Sequence, residues 1–392
     1  MPGNVLALGA VSLVTDVSSE MVTAVLPLYL TLSLGLSMLQ FGALDGLSSG
    51  VTPLVRLAGG QVADRWRRKP VAGAGYALSA LCKLGLLAAG GSVPALGAVI
   101  AADRTGKGLR TAPRDALISL SAPPDALGYV FGVHRAMDTC GALLGPLAAF
   151  AVLSATGGAY DAVFVTSFCV AVLGVLLLVL YVREPRDPTG PRLPASLRAT
   201  ARLLRLAPFR RVCLAAALLG LVTIGDAFVY LLLQRRAGLD AAAFPLLPVG
   251  SSAAYLLLAG PAGRLADRLG RTPVFLAGHA ALAAAGLVLL GPGWLVPVLL
   301  LHGAFYAATD GVLMAAAGPM LPAHLRASGL ALLQTGQAVA RTLSSVLFGA
   351  LWTVWGGGQA LAVMTGALAV CALAVVPVLR SAASLPAGEG AP

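Results

Sequence analysis

The stretch Gly263–Arg271 reads GRLADRLGR and follows a long apolar segment. A variant of it, GQVADRWRRK, lies at Gly60–Lys69, and its matching residues stand a constant 203 positions earlier. In both places one apolar segment ends just before the motif, and another begins at a proline just after it. Two copies of one charged turn at equivalent places in two hydrophobic halves indicate an internally duplicated membrane protein.

The composition supports this class. The 392 residues are 58% hydrophobic and 11% charged, whereas a soluble domain carries about 25% charged residues. The net charge of +11 lies in short loops rather than on a polar domain, so we expect no nucleic-acid partner. The five cysteines lie in apolar stretches without CxxC spacing, and we expect them to pack between helices. No cofactor and no metal are expected.

Apolar stretches of about 20 residues, the length that crosses a bilayer, occur twelve times. They predict an all-α membrane protein with two six-helix bundles related by pseudo-two-fold symmetry. The predicted domains are 1–182, a polar cytoplasmic linker at 183–211, and 212–392. The predicted spans are 5–32, 39–61, 71–90, 94–118, 130–153, 161–182, 212–233, 244–263, 273–291, 294–317, 328–354 and 360–379.

Loop arginines predict the orientation of these spans. Loops 62–70, 183–211 and 264–272 are rich in Arg, while loops at 90–93, 154–160 and 355–359 carry no Lys or Arg. Because cytoplasmic loops hold the excess of basic residues, both termini and the linker are predicted to be cytoplasmic. We expect a multi-pass protein of the cell membrane.

Twelve spans with Gly-x-x-x-Asp-Arg-x-Gly-Arg after span 2 and again after span 8 resemble the major facilitator superfamily. The first copy departs from the family pattern, since Arg67 stands where the family has Gly. In span 4, Arg104 followed four residues later by Gly108 is similar to the membrane-embedded Arg of the family. The resemblance implies a secondary transporter that works by alternating access.

Span 5 carries a second family-like motif. Its glycines resemble the motif of the antiporter branch, although Ala149 and Phe150 stand where that branch has Gly-Gly. The resemblance implies a helix-packing role and favours antiport. The motif residues are Gly132, Gly141, Gly145 and Pro146.

The repeated turn predicts a conformational latch. Its charges lie at the cytoplasmic ends of spans, where a carboxylate can meet a helix N-terminus and an Arg can form ion pairs. Such a cluster would hold the halves in one state and release them as they rock. The predicted latch residues are Gly60, Asp64, Arg65, Arg68, Gly263, Asp267, Arg268 and Arg271.

Charged residues within the spans are the candidates for function. Each costs about 2.5–3.5 kcal/mol at the centre of a helix on insertion scales, so most must form pairs or line a wet cavity. Five of seven acids and six of seven bases lie in the first half, where we expect ion coupling. They are Asp16, Glu20, Asp45, Asp103, Asp138, Asp226 and Asp310, with Arg56, Lys83, Arg104, Lys107, Arg110, Arg135 and Arg341.

Helical spacing sorts these residues into faces. One face of span 1 holds Ser12, Asp16, Glu20, Thr23 and Pro27. One face of span 4 holds Asp103, Lys107, Arg110 and Arg114. One face of span 5 holds His134, Asp138, Gly141 and Gly145. Two carboxylates one turn apart cannot both ionise easily in a low dielectric, so one can hold a proton. The predicted proton-coupling residues are Asp16, Glu20, Arg104, His134 and Asp138. The predicted substrate-binding residues are Asp226, Asp310, Lys107 and Arg110.

Structural alternatives stay open for several of these residues. Asp16 and Glu20 could be static partners of Lys83 or of a span 4 base. His134 and Asp138 could bind a metal, relay a proton, or form an interhelical hydrogen bond. His279 and His302 are interpreted as packing or hydrogen-bonding groups.

The leading hypothesis is a monomeric, proton-coupled antiporter that exports a small amphipathic or cationic solute. Alternatives are an importer or facilitator of a small organic anion, a lipid flippase, and a transporter-like sensor without flux. The chain is not expected to be an enzyme, since it carries no phosphate-binding Gly-rich loop, nucleophile elbow or HExxH pattern.

Overall fold

Long helices joined by short turns make up the computed structural model, which describes residues 3–65, 67–122, 126–184, 197–291, 293–322 and 325–383. The side chains of 56–65, 128, 197–199, 327 and 380–383 lie outside this description. Contacts divide the chain into one unit of residues 1–194 with 240–249 and a second unit of 195–239 with 250–392.

The first unit contains six long helices. Helix α1 (Gly3–Leu28) continues into a π-helical turn at Tyr29–Ser33. The others are α2 (Met38–Arg65), α3 (Arg68–Ala89), α4 (Val93–Leu120), α5 (Leu127–Ala155) and α6 (Tyr160–Tyr181). Helix α1 packs on both α5 and α6, and α4 packs on α2 and α3.

The second unit begins with the short helix α7 (Leu197–Arg202) and a 3-10 turn at Leu203–Arg205. Its other helices are α8 (Ala207–Val222), α9 (Asp226–Ala237), α10 (Leu246–Leu269), α11 (Arg271–Leu290), α12 (Leu295–Ala317), α13 (Arg326–Trp355), α14 (Gly357–Ala374) and α15 (Val376–Ala383). The first residues of α10, up to Val249, group with the first unit.

Ten helical segments of the described residues are long and apolar enough to cross a membrane. Helices α2 and α4 have the length for a span as well, at 28 residues each, but α4 carries a stripe of charged side chains. The all-α fold class is confirmed, with twelve long helical segments. Large apolar side chains remain exposed on the outer faces of the helices, as lipid contact requires.

The predicted span 212–233 is not one continuous helix. Helix α8 ends at Val222, and α9 begins at Asp226 after three residues without helical structure. The Ser344 hydroxyl of α13 donates to the Thr223 carbonyl at 2.6 Å, so one backbone group freed by the break has a partner. The break puts the Asp226 carboxylate at the N-terminus of α9, which is favourable for a negative charge.

Small residues bring α3 and α4 into direct backbone contact. A Cβ atom built on Gly75 would lie 2.7 Å from the Gly106 carbonyl oxygen, and one on Gly106 would lie 2.6 Å from the Gly75 oxygen. No side chain can be accommodated between the helices at this point. The charged residues of α4 are therefore held at a fixed distance from α3.

Candidate functional site

Polar side chains of α1 and α4 meet in four successive pairs, which we call the ladder. The two helices run antiparallel, so residues later in α1 contact residues earlier in α4. In every pair the α4 residue is a base that donates to or pairs with the α1 residue. The pairs are Ser12–Arg114, Asp16–Arg110, Glu20–Lys107 and Thr23–Arg104, at 3.2, 3.4, 3.6 and 3.4 Å.

The two ion pairs of the ladder differ in burial. The Arg110 side chain is only 4% exposed, and its guanidinium also lies 4.5 Å from the centre of the Tyr76 ring, as in a cation–π contact. Lys107 and Glu20 are 32% and 27% exposed. The Asp16 pair is therefore a desolvated contact, while the Glu20 pair is open enough to exchange protons or solutes.

The α5 side chains predicted for proton coupling reach the first pair of the ladder. His134 Nε2 lies 3.3 Å from the Ser12 hydroxyl, and Asp138 Oδ1 lies 3.5 Å from Arg114 Nη1. Arg114 also pairs with Asp115 at 3.1 Å. His134 and Asp138 thus have separate partners within one cluster, and the buried Asp138 Oδ1 accepts no hydrogen bond from the described residues.

Two of the α5 glycines pack against the acidic stretch of α1. A Cβ built on Gly145 would lie 2.7 Å from Glu20 Cβ, and one built on Gly141 would lie 3.1 Å from Asp16 Cβ. Any larger residue at these positions would push α5 away from the two carboxylates. Gly132 makes no such approach among the described residues, and Pro146 lies within the α5 helix.

A second charged cluster lies between α3 and α4. Lys83 is buried, donates to the Ser79 carbonyl at 2.8 Å and pairs with Asp103 at 3.3 Å. Ser79 donates its hydroxyl to the same Asp103 oxygen. Arg104 Nε lies 3.8 Å from the other oxygen of Asp103. Sequence reasoning named Lys83, Asp103 and Arg104 as charges within the spans and expected most such charges to form pairs or line a wet cavity, but it did not predict that these three meet.

In the second unit, Asp226 is the centre of a polar cluster. Tyr306 donates its hydroxyl to both Asp226 oxygens at 2.7 and 2.8 Å, and His302 Nε2 lies 3.2 Å from Oδ1. Arg341 in turn donates to the Tyr306 oxygen at 3.4 Å, and the Ser251 hydroxyl lies 3.2 Å from His302 Nδ1. The Asp226 side chain is 48% exposed and can therefore be reached by a solute.

Sequence reasoning treated Asp226 as an isolated acid and did not identify Tyr306 or Ser251. The spacing of His302 and Tyr306, one turn apart in the same span, is the signal that could have found part of this cluster. Asp310 is exposed, lying one further turn along α12. His279 has a different surrounding, since its Nδ1 lies 2.9 Å from the Phe275 carbonyl oxygen.

The two copies of the repeated turn are built differently. In the second copy Gly270 has a φ of +95°, a conformation that L side chains rarely adopt, whereas Arg67 at the equivalent position has a φ of −60°. The first copy therefore needs no glycine there. In the second copy Arg271 donates to the Ala315 carbonyl, Asp267 and Arg268 are exposed, and Gly263 has open space around it.

Glu184, just after α6, lies outside the repeated motif but binds its first copy. Its carboxylate accepts from the backbone N–H of Arg68 at 2.7 Å and of Lys69 at 3.3 Å, and from Arg67 Nε at 3.0 Å. It caps the N-terminus of α3 in this way. The predicted latch residues Gly60, Asp64 and Arg65 lie outside the described side chains.

Comparison with known proteins agrees with this architecture. A profile described as Major Facilitator Superfamily matches residues 8–254 and 227–391. An uncharacterized MFS-type transporter of Methanocaldococcus jannaschii is 29% identical over 388 residues, covering 93% of this chain and 94% of that protein. An uncharacterized protein of Mycobacterium tuberculosis is 34% identical over 191 residues, which is 48% of this chain and 46% of that protein.

Solved structures share the fold at low sequence identity. A variant of the nucleoside transporter NupG has a TM-score of 0.83 at 15% identity, covering 95% of this chain and 99% of its own. The peptide transporter POT has a TM-score of 0.79 at 16% identity, covering 97% of this chain and 95% of its own. At these identities the likeness extends to the fold alone.

Proposed function

The chain belongs to the Major Facilitator Superfamily and is a membrane transporter rather than an enzyme, and we propose that it is a proton-coupled antiporter exporting a small solute. The observation that carries this proposal is the ladder. Two α1 carboxylates, Asp16 and Glu20, are each held by an α4 base at 3.4 and 3.6 Å within one unit.

Such pairs can couple protonation to movement. A proton on Asp16 or Glu20 removes the negative charge and weakens its attraction to Arg110 or Lys107. The freed base then favours a different separation of α1 and α4. Arg104, His134 and Asp138 belong to the same proposed coupling network, because they contact the first or last pair of the ladder or its neighbours.

The contact between α5 and α1 supports antiport over symport. Gly141 and Gly145 of the antiporter-like motif pack on α1 beside Asp16 and Glu20. This close packing leaves little space for a solute to enter between α5 and α1, so the two carboxylates would serve protons while the solute binds elsewhere. The direction of exchange follows from the resemblance of the α5 glycines to the motif of the antiporter branch.

We propose that the exported solute contacts Asp226 and Asp310 of the second unit. Lys107 and Arg110, the other predicted substrate contacts, lie in the first unit and stay a prediction from the sequence. The exposed Asp226 carboxylate and its Tyr306 and His302 neighbours offer a negative charge and hydrogen-bonding groups. A solute with a cationic or hydrogen-bond-donating group would suit this cluster. Residues 1–182 and 212–392 would form the two rocking domains, with 183–211 as the linker between them.

Transport by proteoliposomes with an imposed pH gradient tests the coupling. The solutes assayed include nucleosides, short peptides and lipophilic cations. We expect the wild type to accumulate one of them against its gradient, and Asp16→Asn or Glu20→Gln to abolish accumulation while exchange at equal pH survives. Asp161→Asn, at the start of α6, is the matched control and should transport normally.

Three results of this assay would contradict the proposal. Wild-type accumulation by both α1 variants would exclude coupling through Asp16 and Glu20. Equilibration of an anion without any dependence on the pH gradient would identify a facilitator instead. Movement of a fluorescent lipid between leaflets, without flux of any solute, would identify a flippase.

A further inference from the structure

A pocket opens between α1, α3 and α4 in the first unit, next to the last pair of the ladder. The space inside it, counted together with its opening to solvent, is about 340 Å³. Apolar side chains such as Val22, Leu26 and Leu86 form much of its wall. Its polar lining consists of Ser19, Thr23, Lys83, Asp103 and Arg104.

The charges that line this pocket do not balance. Lys83 and Arg104 are two bases, and Asp103 is the one acid among the lining residues. Asp103 Oδ1 already accepts from Ser79 and pairs with Lys83 at 3.3 Å. With all three groups ionised, the lining carries one excess positive charge, and Arg104 is the base with the longer separation from Asp103.

Arg104 lacks the contacts that a buried guanidinium normally has. Its Nε is buried and has no hydrogen-bond partner among the described residues. Its separation from Asp103 Oδ2, at 3.8 Å, is too long for a hydrogen bond, and its bond to the Thr23 hydroxyl is long at 3.4 Å. Glu20, one turn before Thr23 in α1, is engaged with Lys107.

A buried donor without a partner costs about 1–3 kcal/mol, and more when it is charged. Water in the pocket would accept the hydrogen bond but would leave the excess charge uncompensated. A monovalent anion would satisfy both, because Arg104 and Lys83 supply the charge and the Ser19 hydroxyl can supply a further donor, whereas the Thr23 hydroxyl already donates to the Ser19 carbonyl. The apolar walls favour a monovalent anion over a multivalent one, because the cost of desolvation rises with charge.

We propose that this pocket binds a small monovalent anion at Arg104, either a free halide or a carboxylate group. The site shares Arg104 with the proposed coupling network, but it does not include the Asp16 and Glu20 carboxylates that would carry the proton. Anion binding is measured without a pH gradient or transport, so its failure can be told apart from failure of the proposed antiport, and the reverse also holds.

Thermal unfolding of the purified, detergent-solubilised full chain tests the site. Sodium chloride, acetate and gluconate are compared at equal ionic strength. We expect chloride or acetate, but not gluconate, to raise the unfolding temperature of the wild type in a saturable way. A saturable shift with chloride alone identifies a halide site, and one with acetate identifies recognition of a carboxylate.

Variants locate the binding in the pocket. Arg104→Gln should weaken the apparent anion affinity at least tenfold, and Ser19→Ala should weaken it severalfold. Arg135→Gln removes an exposed arginine of α5 in the same unit and should leave the affinity unchanged. Line broadening of ³⁵Cl resonances by the wild type, reversed by bromide, gives a second measurement if Arg104→Gln does not fold.

Two results would overturn the proposal. One is a wild type whose unfolding temperature and ³⁵Cl line width do not respond to these anions. The other is an Arg104→Gln or Ser19→Ala variant that folds and retains wild-type anion affinity.

Discussion

At the scale of single residues, the two ion pairs of the ladder illustrate how burial changes what a charge does. Arg110 is almost fully buried and stacks on Tyr76, so removing Asp16 leaves an uncompensated charge with little access to water. Glu20 and Lys107 are about one-third exposed and can be solvated separately. The same type of pair is therefore costly to break in one position and readily broken in the other.

Double-mutant cycles should separate the two pairs. Asp16→Asn should lower the free energy of unfolding by about 3–5 kcal/mol, because it leaves a buried charge unpaired. Arg110→Gln in addition should recover most of that loss. Glu20→Gln should cost about 1 kcal/mol or less, as for an accessible pair. Denaturant titration in micelles measures the wild type and, for each pair, both single variants and the double variant, with Lys107→Gln completing the second cycle. Equal coupling energies for the two pairs would contradict the distinction.

At the scale of helices and turns, the repeated motif shows that matching sequence does not guarantee matching backbone. Gly270 occupies a region of φ and ψ that is almost restricted to glycine, and the nearest atom to an added Cβ, in Pro273, lies at an ordinary 3.7 Å. Strain at this position would thus come from the backbone and not from a clash. Arg67 adopts an extended conformation open to any residue.

Exchanging the residues of the two turns should have unequal effects. Gly270→Arg should destabilise the protein by about 1–3 kcal/mol, the cost of forcing a side chain into this conformation. Arg67→Gly should cost about 1 kcal/mol or less, mainly through added freedom of the unfolded chain. Unfolding temperatures of the two variants give the comparison. A larger loss for Arg67→Gly would mean that its ion pair with Glu184 outweighs the backbone effect.

Helical periodicity predicted much of the arrangement described above. It grouped Asp16 with Glu20 and Lys107 with Arg110, because residues three or four apart share a helix face. It could not predict that the two faces meet in antiparallel order, since that depends on tertiary packing. The break before Asp226 also escaped prediction, because Thr223, Ile224 and Gly225 include no proline and continue an apolar segment.

At the scale of the whole molecule, loop charges give a prediction for the orientation in the membrane. In a variant without the native cysteines, an impermeant thiol reagent added outside cells should label Gly157→Cys. It should label Ser196→Cys only after the membrane is permeabilised, because 183–211 is predicted to be cytoplasmic. The reverse labelling pattern would show that the orientation is wrong.

The latch hypothesis also concerns the whole molecule. We expect Asp64→Asn to lose transport but to keep normal expression and insertion, because the charge cluster should set the balance between conformations. Asp267→Asn should be milder if coupling lies in the first half. Flux assays with surface-expression controls measure both. Wild-type flux in both variants would refute the latch.

The contact between Gly75 and Gly106 has a mechanical consequence. With backbone against backbone, α3 and α4 have no room for a side chain between them at this point, and we expect them to move together as a block that carries Lys83, Asp103 and the bases of the ladder. We expect the proposed rearrangement on protonation to occur on the other side, where α1 is joined to this block by polar side chains. Side-chain ion pairs can lengthen and re-form, whereas interlocked backbones cannot. The block of α3 and α4 would stay in place while protonation of a single carboxylate moves α1.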